Sequence, residues 1–260
     1  MAHVFCIANQ KGGVGKTTTT VNLAAALALQ DKRVLLIDLD PQGNATMGSN
    51  IEKRAVPVSV YQVLVGLQEM AQAITRGKDM LYDIVPANRE LAGAEIEMVG
   101  MRDREKLLQM ALAPHLSAYD FILIDCPPAL SLLTLNGLCC AHGVIIPMQC
   151  EYYALEGLSD LVNSIRQVCA NLNPDLTIIG LLRVMFDPRM TLAQQVSAQL
   201  EKHFGAKVFQ TVIPRNVRLA EAPSFGLPGV QFDRNSKGAQ AYIAFADEMI
   251  QRVRPRALAA

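Results

Sequence analysis

Residues 9 to 18 of the chain read Asn9-Gln10-Lys11-Gly12-Gly13-Val14-Gly15-Lys16-Thr17-Thr18. The ending Gly15-Lys16-Thr17 is typical of a phosphate-binding loop (P-loop). In such a loop backbone N–H groups point at an anion, the lysine reaches the β- and γ-phosphates, and the threonine hydroxyl ligates Mg²⁺. The ordinary pattern also has a glycine five residues before Gly15, where this chain has Gln10. The loop therefore departs from the ordinary P-loop.

A second lysine, Lys11, lies near the start of the loop. It places one more cation beside the phosphates than binding requires. The surplus charge suggests a residue aimed at a phosphate bound elsewhere, for instance in a partner subunit, as an arginine finger acts in trans. We therefore interpret Lys11 and Lys16 as candidate catalytic residues with different roles.

The sequence on either side of the loop fits this interpretation. Val4 to Ala8 is a short apolar run, typical of a strand buried on both faces of a parallel sheet. From Thr17 to Gln30 apolar residues recur at helical spacing, so the loop joins a strand to a helix N-terminus, where the helix dipole favours phosphate. A surface turn rich in Gly and Lys is the alternative, and this order of strand, loop and helix disfavours it.

Seven short apolar runs predict strands, and helix-like stretches lie between them. The predicted strands are 4–8, 34–38, 82–86, 121–125, 143–148, 177–184 and 207–213. The predicted helices lie near 16–30, 58–75, 102–117, 153–172, 190–204 and 239–253. This alternation predicts an α/β fold with a doubly wound, mostly parallel sheet, helices on both faces and ligands at the carboxyl ends of the strands. We expect a single domain over residues 1–260, with a flexible tail at 254–260.

Composition and cysteine spacing exclude several classes of protein. The chain has no run of 18 or more uninterrupted apolar residues, so we expect no membrane-spanning helix. The first predicted strand begins almost at once, so we expect no signal peptide. The six cysteines lack metal-ligand spacing and several lie in apolar runs, which favours buried, reduced thiols over disulfides. These observations predict a cytoplasmic protein.

The formal net charge is zero, but the charges are unevenly distributed. Residues 1–180 contain 13 Lys and Arg against 18 Asp and Glu. Residues 181–260 contain 11 Lys and Arg against 6 Asp and Glu. The asymmetry suggests a basic surface built from the C-terminal third, which is a possible nucleic-acid face.

Acidic residues follow two of the predicted strands. Asp125 closes an apolar run and should lie beside the phosphate-binding loop, where a carboxylate can hold Mg²⁺ through a water, because Mg²⁺ keeps several waters. Asp38 and Asp40 close another run, and the period-two alternation of a strand places them on one face. The alternative for Asp40 is a capping role in the turn at Pro41.

Several segments resemble the ParA/MinD group of P-loop ATPases, whose variant loop is called the deviant Walker A motif. The segment Lys11 to Thr18 resembles that motif. Leu35 to Thr46 resembles the second family motif with its switch segment, and Phe121 to Pro128 resembles the Walker B strand and the residues that follow it. Glu151 to Gly157 and Val212 to Ser224 are similar to ParA proper, the DNA-partitioning ATPases also called Soj. The resemblance extends over almost the whole chain.

The resemblance implies ATP or ADP as the cofactor, bound with Mg²⁺. The implied cofactor-binding residues are Lys11, Gly12, Gly13, Val14, Gly15, Lys16, Thr17, Thr18, Met185, Pro214 and Asn216. Asn216 could read the purine edge and Pro214 could pack on its face, whereas Met185 and Phe186 could equally be core filling at the end of a strand. The implied metal residues are Thr17, Asp40 and Asp125. Asp40 is also assigned to hydrolysis, and Asp38 is expected to order the loop.

The resemblance also implies partners. ATP binding implies a sandwich homodimer, and Arg189 and Arg218 match positions implicated in sequence-independent binding of double-stranded DNA. Secondary candidates for DNA contact are Arg183, Arg215, Lys202, Lys207, Arg234 and Lys237. A ParB-type, centromere-binding partner that stimulates slow hydrolysis is implied, with association with the nucleoid. Whether the cargo is a chromosome or a plasmid stays open.

A MinD-type, membrane-associated positioning ATPase is the alternative function. Such proteins end in a basic amphipathic helix that lies in the lipid interface. Residues 254–260 are short, contain a proline and lack bulky apolar residues on one face, so we expect no membrane partner. A metal-cluster carrier is a second alternative, which needs paired thiolates at a subunit interface. Cys139 and Cys140 are adjacent in a helix-like segment and should point to different sides, which disfavours it.

Overall fold

The computed structural model describes residues 2–253, which contain one seven-stranded sheet. The strands are β1 His3–Ile7, β2 Val34–Asp38, β3 Asp83–Val85, β4 Phe121–Asp125, β5 Gly143–Met148, β6 Thr177–Phe186 and β7 Val208–Pro214. Their order is β3-β2-β4-β1-β5-β6-β7, and every pairing between these strands is parallel. All seven predicted strands are confirmed, and so is the doubly wound α/β class. The predicted tail at 254–260 lies outside the described residues.

Helices connect the strands and cover both faces of the sheet. They are α1 Lys16–Ala28, α2 Asn44–Met47, α3 Val60–Leu64, α4 Met70–Ala73, α5 Leu91–Met98, α6 Leu107–Leu112, α7 Leu132–Cys140, α8 Ala154–Asn171, α9 Thr191–Phe204, α10 Val217–Glu221, α11 Gly229–Phe232 and α12 Lys237–Val253. The predicted single helix near 58–75 is wrong. Gly66 follows α3 with a left-handed φ of 74°, a conformation that ends a helix, and α4 begins four residues later. The stretch near 102–117 contains only the short α6 followed by a 3₁₀ turn that includes Pro114.

Alternating strand side chains form two buried cores. In β1, Val4 and Cys6 pack in the core shared with helices α3 to α9. Phe5 and Ile7 pack in the core shared with α1 and α12 on the other face. Because both faces are covered, the central strands β1, β2, β4 and β5 are mostly apolar and buried, which is why they could be recognised from sequence.

The sheet order places the carboxyl ends of three strands side by side. Ile7 at the end of β1 is the register partner of Asp125 at the end of β4, and Asp125 is also the partner of Asp38 at the end of β2. The loop from β1 to α1 therefore starts beside Asp125, and Asp38 lies one strand further along the sheet. This edge of the sheet, the carboxyl edge, carries the candidate site.

The cysteines of the described chain are unpaired with one another. Cys6, Cys126, Cys139, Cys140 and Cys150 are buried, Cys169 is half-buried, and all six are free thiols. Within residues 2–253, no three or more His, Cys, Asp or Glu side chains are grouped in a way that could hold a metal ion. Over the same range, none of the helices combines the length and the apolar character needed to span a bilayer.

Candidate nucleotide-binding site

The loop between β1 and α1 is shaped by two glycines and filled by a buried lysine. Gly13 and Gly15 have left-handed φ angles of 74° and 77°, which favour glycine. Lys16, only 7% exposed, donates from Nζ to the backbone carbonyl of Lys11 at 3.1 Å. Burial lowers the pKa of Lys16, while the charges of Asp125 and Asp40 oppose that shift. A buried ammonium enclosed by backbone at a helix N-terminus is a binding site for an oxyanion.

Hydroxyl and carboxylate oxygens meet at the first turn of α1. Thr17 Oγ1 donates to Asp125 Oδ2 at 2.7 Å, and Thr20 Oγ1 donates to Asp125 Oδ1 at 3.0 Å. Burial and the charge of Asp38 raise the pKa of the fully buried Asp125 to about 8. A nearby cation would stabilise its ionised form, so these oxygens fit Mg²⁺. Thr20 was not predicted, although its spacing of three residues from Thr17 on a helix was a usable signal.

The loop after β2 is ordered by a buried carboxylate. Asp38 Oδ1 accepts from the Asp40 N–H at 3.1 Å, and Oδ2 accepts from both the N–H and the hydroxyl of Thr46 at 2.8 Å. The Ala87 N–H donates to the same hydroxyl at 2.9 Å, which ties the loop to the end of β3. Burial raises the pKa of Asp38 to about 6. These contacts are those expected of a residue that orders the loop.

Asp40 lies on this ordered loop and is partly exposed. Its Oδ1 accepts from the Gln42 N–H at 2.9 Å, which is the contact that the capping alternative requires. Its charge is among those that oppose the lowering of the Lys16 pKa. The role of Asp40 in hydrolysis stays a prediction.

A cavity of about 160 Å³ opens beside the start of α1. Gly15, Met185, Pro214 and Asn216 are among its lining residues, so the predicted base-binding residues do come together next to the loop. Asn216 Oδ1 accepts from the Leu219 N–H at 3.2 Å as the cap of α10, which leaves its Nδ2 group to donate to a ligand. Met185 has a left-handed φ of 50° and lines this cavity.

Phe186, by contrast, packs against the core shared with α3 to α9. It is therefore the residue that fills the core, whereas its neighbour Met185 belongs to the cavity wall.

Lys11 does not bind its own loop through its side chain. Its Nζ contacts Glu151 Oε2 at 2.6 Å, and the two side chains are 52% and 49% exposed. A Cβ added at Gly12 would meet no described atom within 4 Å. The start of the loop is therefore open to the outside of the protomer.

The two predicted DNA-contacting arginines lie at the carboxyl edge, each paired with acids. Arg189, whose side chain is 87% exposed, makes two hydrogen bonds to Asp187 and lowers the pKa of that carboxyl to about 2. Arg218 makes ion pairs with Glu221 and Asp233. Both arginines are accessible, and DNA contact stays a prediction.

The secondary basic candidates divide by position. Arg183 is wrong as a DNA contact: it is buried in β6 and donates to Ser197 Oγ and to the Phe209 carbonyl. Lys202 and Lys207 are exposed but precede β7, so they lie toward the opposite edge of the sheet from Arg189 and Arg218. The exposed candidates that follow β7 are Arg215, Arg234 and Lys237.

Known proteins are similar to this chain in sequence and in fold. A family model described as an AAA domain matches residues 2–178. The chain is 51% identical over 249 residues to the chromosome-partitioning ATPase Soj of Thermus thermophilus, covering 96% of each protein. It is 46% identical over 256 residues to the chromosome partitioning protein ParA of Myxococcus xanthus, covering 98% of this chain and 90% of that protein. The chain belongs to the ParA/Soj family. Its reaction class, ATP hydrolysis, agrees with the prediction from the P-loop.

Solved structures place the family in a wider group. A cobyrinic acid a,c-diamide synthase from Mycobacterium smegmatis, solved with an ATP analog and magnesium, is 40% identical with a TM-score of 0.85, covering 96% of this chain and 95% of that one. The septum site-determining protein MinD of Pyrococcus horikoshii, complexed with Mg-ADP, is 26% identical with a TM-score of 0.78, covering 96% of each chain. The ParA/Soj chain shares the P-loop fold of both.

Proposed function

We propose that this ParA/Soj-family protein is a Mg²⁺-dependent ATPase that dimerises on ATP, binds double-stranded DNA without sequence preference and acts in partitioning with a ParB-type partner. One observation carries the nucleotide part of the proposal. Lys16 and the Thr17–Asp125 pair lie at the start of α1, and Gly15 and Thr18 of the same loop and helix line the cavity that also holds Met185, Pro214 and Asn216. Neighbouring family members solved with adenine nucleotides and magnesium support the choice of ligand.

Each residue of the site has a part in holding the nucleotide. Lys16 would meet the β- and γ-phosphates, and the N-terminus of α1 would donate its unpaired N–H groups. Thr17 and Asp125 would hold Mg²⁺, which supplies charge neutralisation on the phosphates when bound. Asp40, on the loop ordered by Asp38, would orient the attacking water.

The dimer part rests on the open start of the loop. Lys11 is half-exposed, and a side chain at Gly12 would meet no other atom of the described chain within 4 Å. A second loop could therefore approach Gly12 closely. A lysine brought across such an interface would lie beside the partner's phosphates. We therefore propose an ATP-dependent sandwich dimer in which Lys11 acts in trans.

The DNA part rests on exposed basic residues at the same edge. Arg189 follows β6 directly after the wall of the base cavity, and Arg218 lies in α10 next to the cavity residue Leu219. Contacts to phosphates position a protein on DNA without reading bases. In the cell this activity would place the protein on the nucleoid in the cytoplasm.

Binding to DNA gives the experiment that tests the proposal. Arg189→Ala and Arg218→Ala should weaken ATP-dependent binding to duplexes of any sequence while ATP affinity and dimerisation stay near normal. Each lost phosphate contact should lower the salt slope by about 0.9 in log–log terms, and by nearly twice that in a symmetric dimer. Lys202→Ala, which removes a lysine toward the opposite edge, is the matched control. Parental affinity of the double variant across a salt titration would contradict the DNA part, and a loss on one sequence only would indicate base readout.

Light scattering of the apo, ADP and ATP states, with and without duplex DNA, tests the dimer separately.

The MinD-type alternative depends on residues 254–260, which the structure does not describe. Pelleting with liposomes in the presence of ATP distinguishes it, because only the alternative predicts ATP-dependent co-sedimentation.

A further inference from the structure

The end of β5 and the residues that follow it, 147–151, run along the phosphate-binding loop. This segment contacts the loop at three separated points. The three pairs are Asn9 Nδ2 with the Pro147 carbonyl at 2.8 Å, Gln149 Nε2 with the Gly13 carbonyl at 3.2 Å, and Lys11 Nζ with Glu151 Oε2 at 2.6 Å. The conformation of the loop is thus set by its own glycines and also by a segment distant in sequence.

Gln149 makes a second contact with the same amide nitrogen. Its Nε2 donates to the Gly13 carbonyl and, at 3.0 Å, to the Met185 thioether sulfur. A primary amide has two N–H donors, and both partners here can only accept. The nitrogen must therefore face them, because the alternative orientation would place the amide oxygen against two acceptors. One side chain joins the phosphate-binding loop to the wall of the base cavity.

Met185 is held in a conformation that a methionine seldom adopts. Its φ of 50° is left-handed, and a non-glycine residue keeps such a backbone only where its surroundings hold it. Its Cε lies 3.6 Å from the position of a Cβ built on Gly15, so the side chain lies along the loop as well as the cavity. Gln149 and the loop therefore hold Met185 from two sides.

We infer that Gln149 is a positioning residue that couples the base cavity to the phosphate-binding loop. The inference rests on the nucleotide site of the proposed function. A base in the cavity contacts Met185, and Gln149 transmits the position of Met185 to the Gly13 carbonyl. Gly13 adjoins Gly12, where the proposed dimer brings two loops together. Recognition of the base thereby contributes to ordering the phosphate-binding and dimer-forming loop.

The coupling predicts a difference between a ligand with a base and a ligand without one. Gln149→Met removes both donors and keeps the length of the side chain. By calorimetry on the full chain, its affinity for Mg-ADP should fall about tenfold, equivalent to about 1.4 kcal/mol. Its affinity for Mg-pyrophosphate, measured by displacement, should fall less, because pyrophosphate does not enter the base cavity. The matched control is Gln195→Met, since Gln195 is exposed on α9 and does not line the base cavity.

A second variant tests the sulfur contact. Met185→Leu keeps the apolar shape but removes the acceptor, so it should lower the ADP affinity by less than Gln149→Met does. In the double variant the two losses should not add, because both substitutions break the same link. If Gln149→Met does not fold, Met185→Leu replaces it in the experiment, and the measured quantity is the ratio of its affinities for ADP and for pyrophosphate.

The outcomes separate this inference from the proposed function. Parental ADP affinity in Gln149→Met, with the parent binding Mg-ADP, overturns the inference and leaves the nucleotide site intact. Equal losses for ADP and pyrophosphate also overturn it, since Gln149 would then hold the phosphate-binding loop alone. A parent protein that binds no Mg-ADP overturns the proposed function itself.

Discussion

Replacing Thr46 with Val removes one hydroxyl from the network that orders the Asp40 loop. Thr46 is fully buried, and its hydroxyl donates to Asp38 at 2.8 Å and accepts from the Ala87 N–H at 2.9 Å. Val has nearly the same shape, so the change creates no cavity. Losing a hydrogen bond to a carboxylate costs about 1.5–3 kcal/mol, and an unpaired buried N–H costs about 1–3 kcal/mol. Asp38 keeps the hydrogen bond from the Thr46 N–H, so we expect the free energy of unfolding to fall by about 3 kcal/mol in total.

Urea unfolding followed by circular dichroism measures this loss, with an unchanged m-value as the sign that only stability changed. Thr46→Ser keeps both hydrogen bonds and should cost only about 1 kcal/mol for the lost methyl group. Thr177→Val is the matched control, because the exposed Thr177 hydroxyl donates at 3.3 Å to the His142 carbonyl and should contribute about 0.5 kcal/mol. The ATPase rate should fall in Thr46→Val and recover in Thr46→Ser, since Asp40 depends on the same loop. A loss below 1 kcal/mol in Thr46→Val, or equal to that of Thr177→Val, would refute the reasoning.

Five further substitutions test the site. Lys16→Ala deletes the ammonium that meets the phosphates and should remove most ATP affinity; micromolar binding by calorimetry would contradict this role. Lys11→Ala, and likewise Gly12→Val, should leave ATP affinity intact but suppress ATP-dependent dimerisation in light scattering, and a parental hydrolysis rate would exclude action in trans. Asp40→Ala should bind ATP and dimerise without turnover, whereas failure to dimerise would indicate a purely ordering role. Asp125 has a folded-state pKa of about 8, above its unfolded value of about 3.9, so the parent loses stability as pH rises through this range. Thermal melts should therefore show that apo Asp125→Asn is more stable than the parent by an amount that grows from pH 5 to pH 8. A difference that stays constant with pH would contradict this prediction.

The sequence predicted the strands and the phosphate-binding loop because their signals are local. Strands covered on both faces are continuous apolar runs, and the loop is a fixed spacing of glycine, lysine and threonine. Helix boundaries were less predictable, since Gly66 divides an apolar stretch that the periodicity reads as one helix. Charge counting misplaced Arg183, because a count does not register burial, although the apolar neighbours Leu182 and Val184 were a warning.

The base cavity and its supporting contacts needed more than local patterns. Met185 and Asn216 came from family resemblance, and no spacing relates them to the loop. Gln149 had no sequence signal at all, since its partners Gly13 and Met185 are brought to it by the pairing of β1, β5 and β6. Thr46 and Ala87 meet in the same way, through strands that are distant in the chain. Contacts of this kind depend on tertiary structure, so one sequence cannot reveal them.

The position of β1 between β4 and β5 has a consequence for how the protein is made. The phosphate-binding loop is translated first, but the strands on either side of it are complete only when Met148 has been added. The base cavity is completed later still, because its wall includes Pro214 and Asn216, which are translated after Met148. A nascent chain therefore has no complete nucleotide site until most of it has left the ribosome. Binding of ATP at the complete site can therefore stabilise only the nearly finished chain.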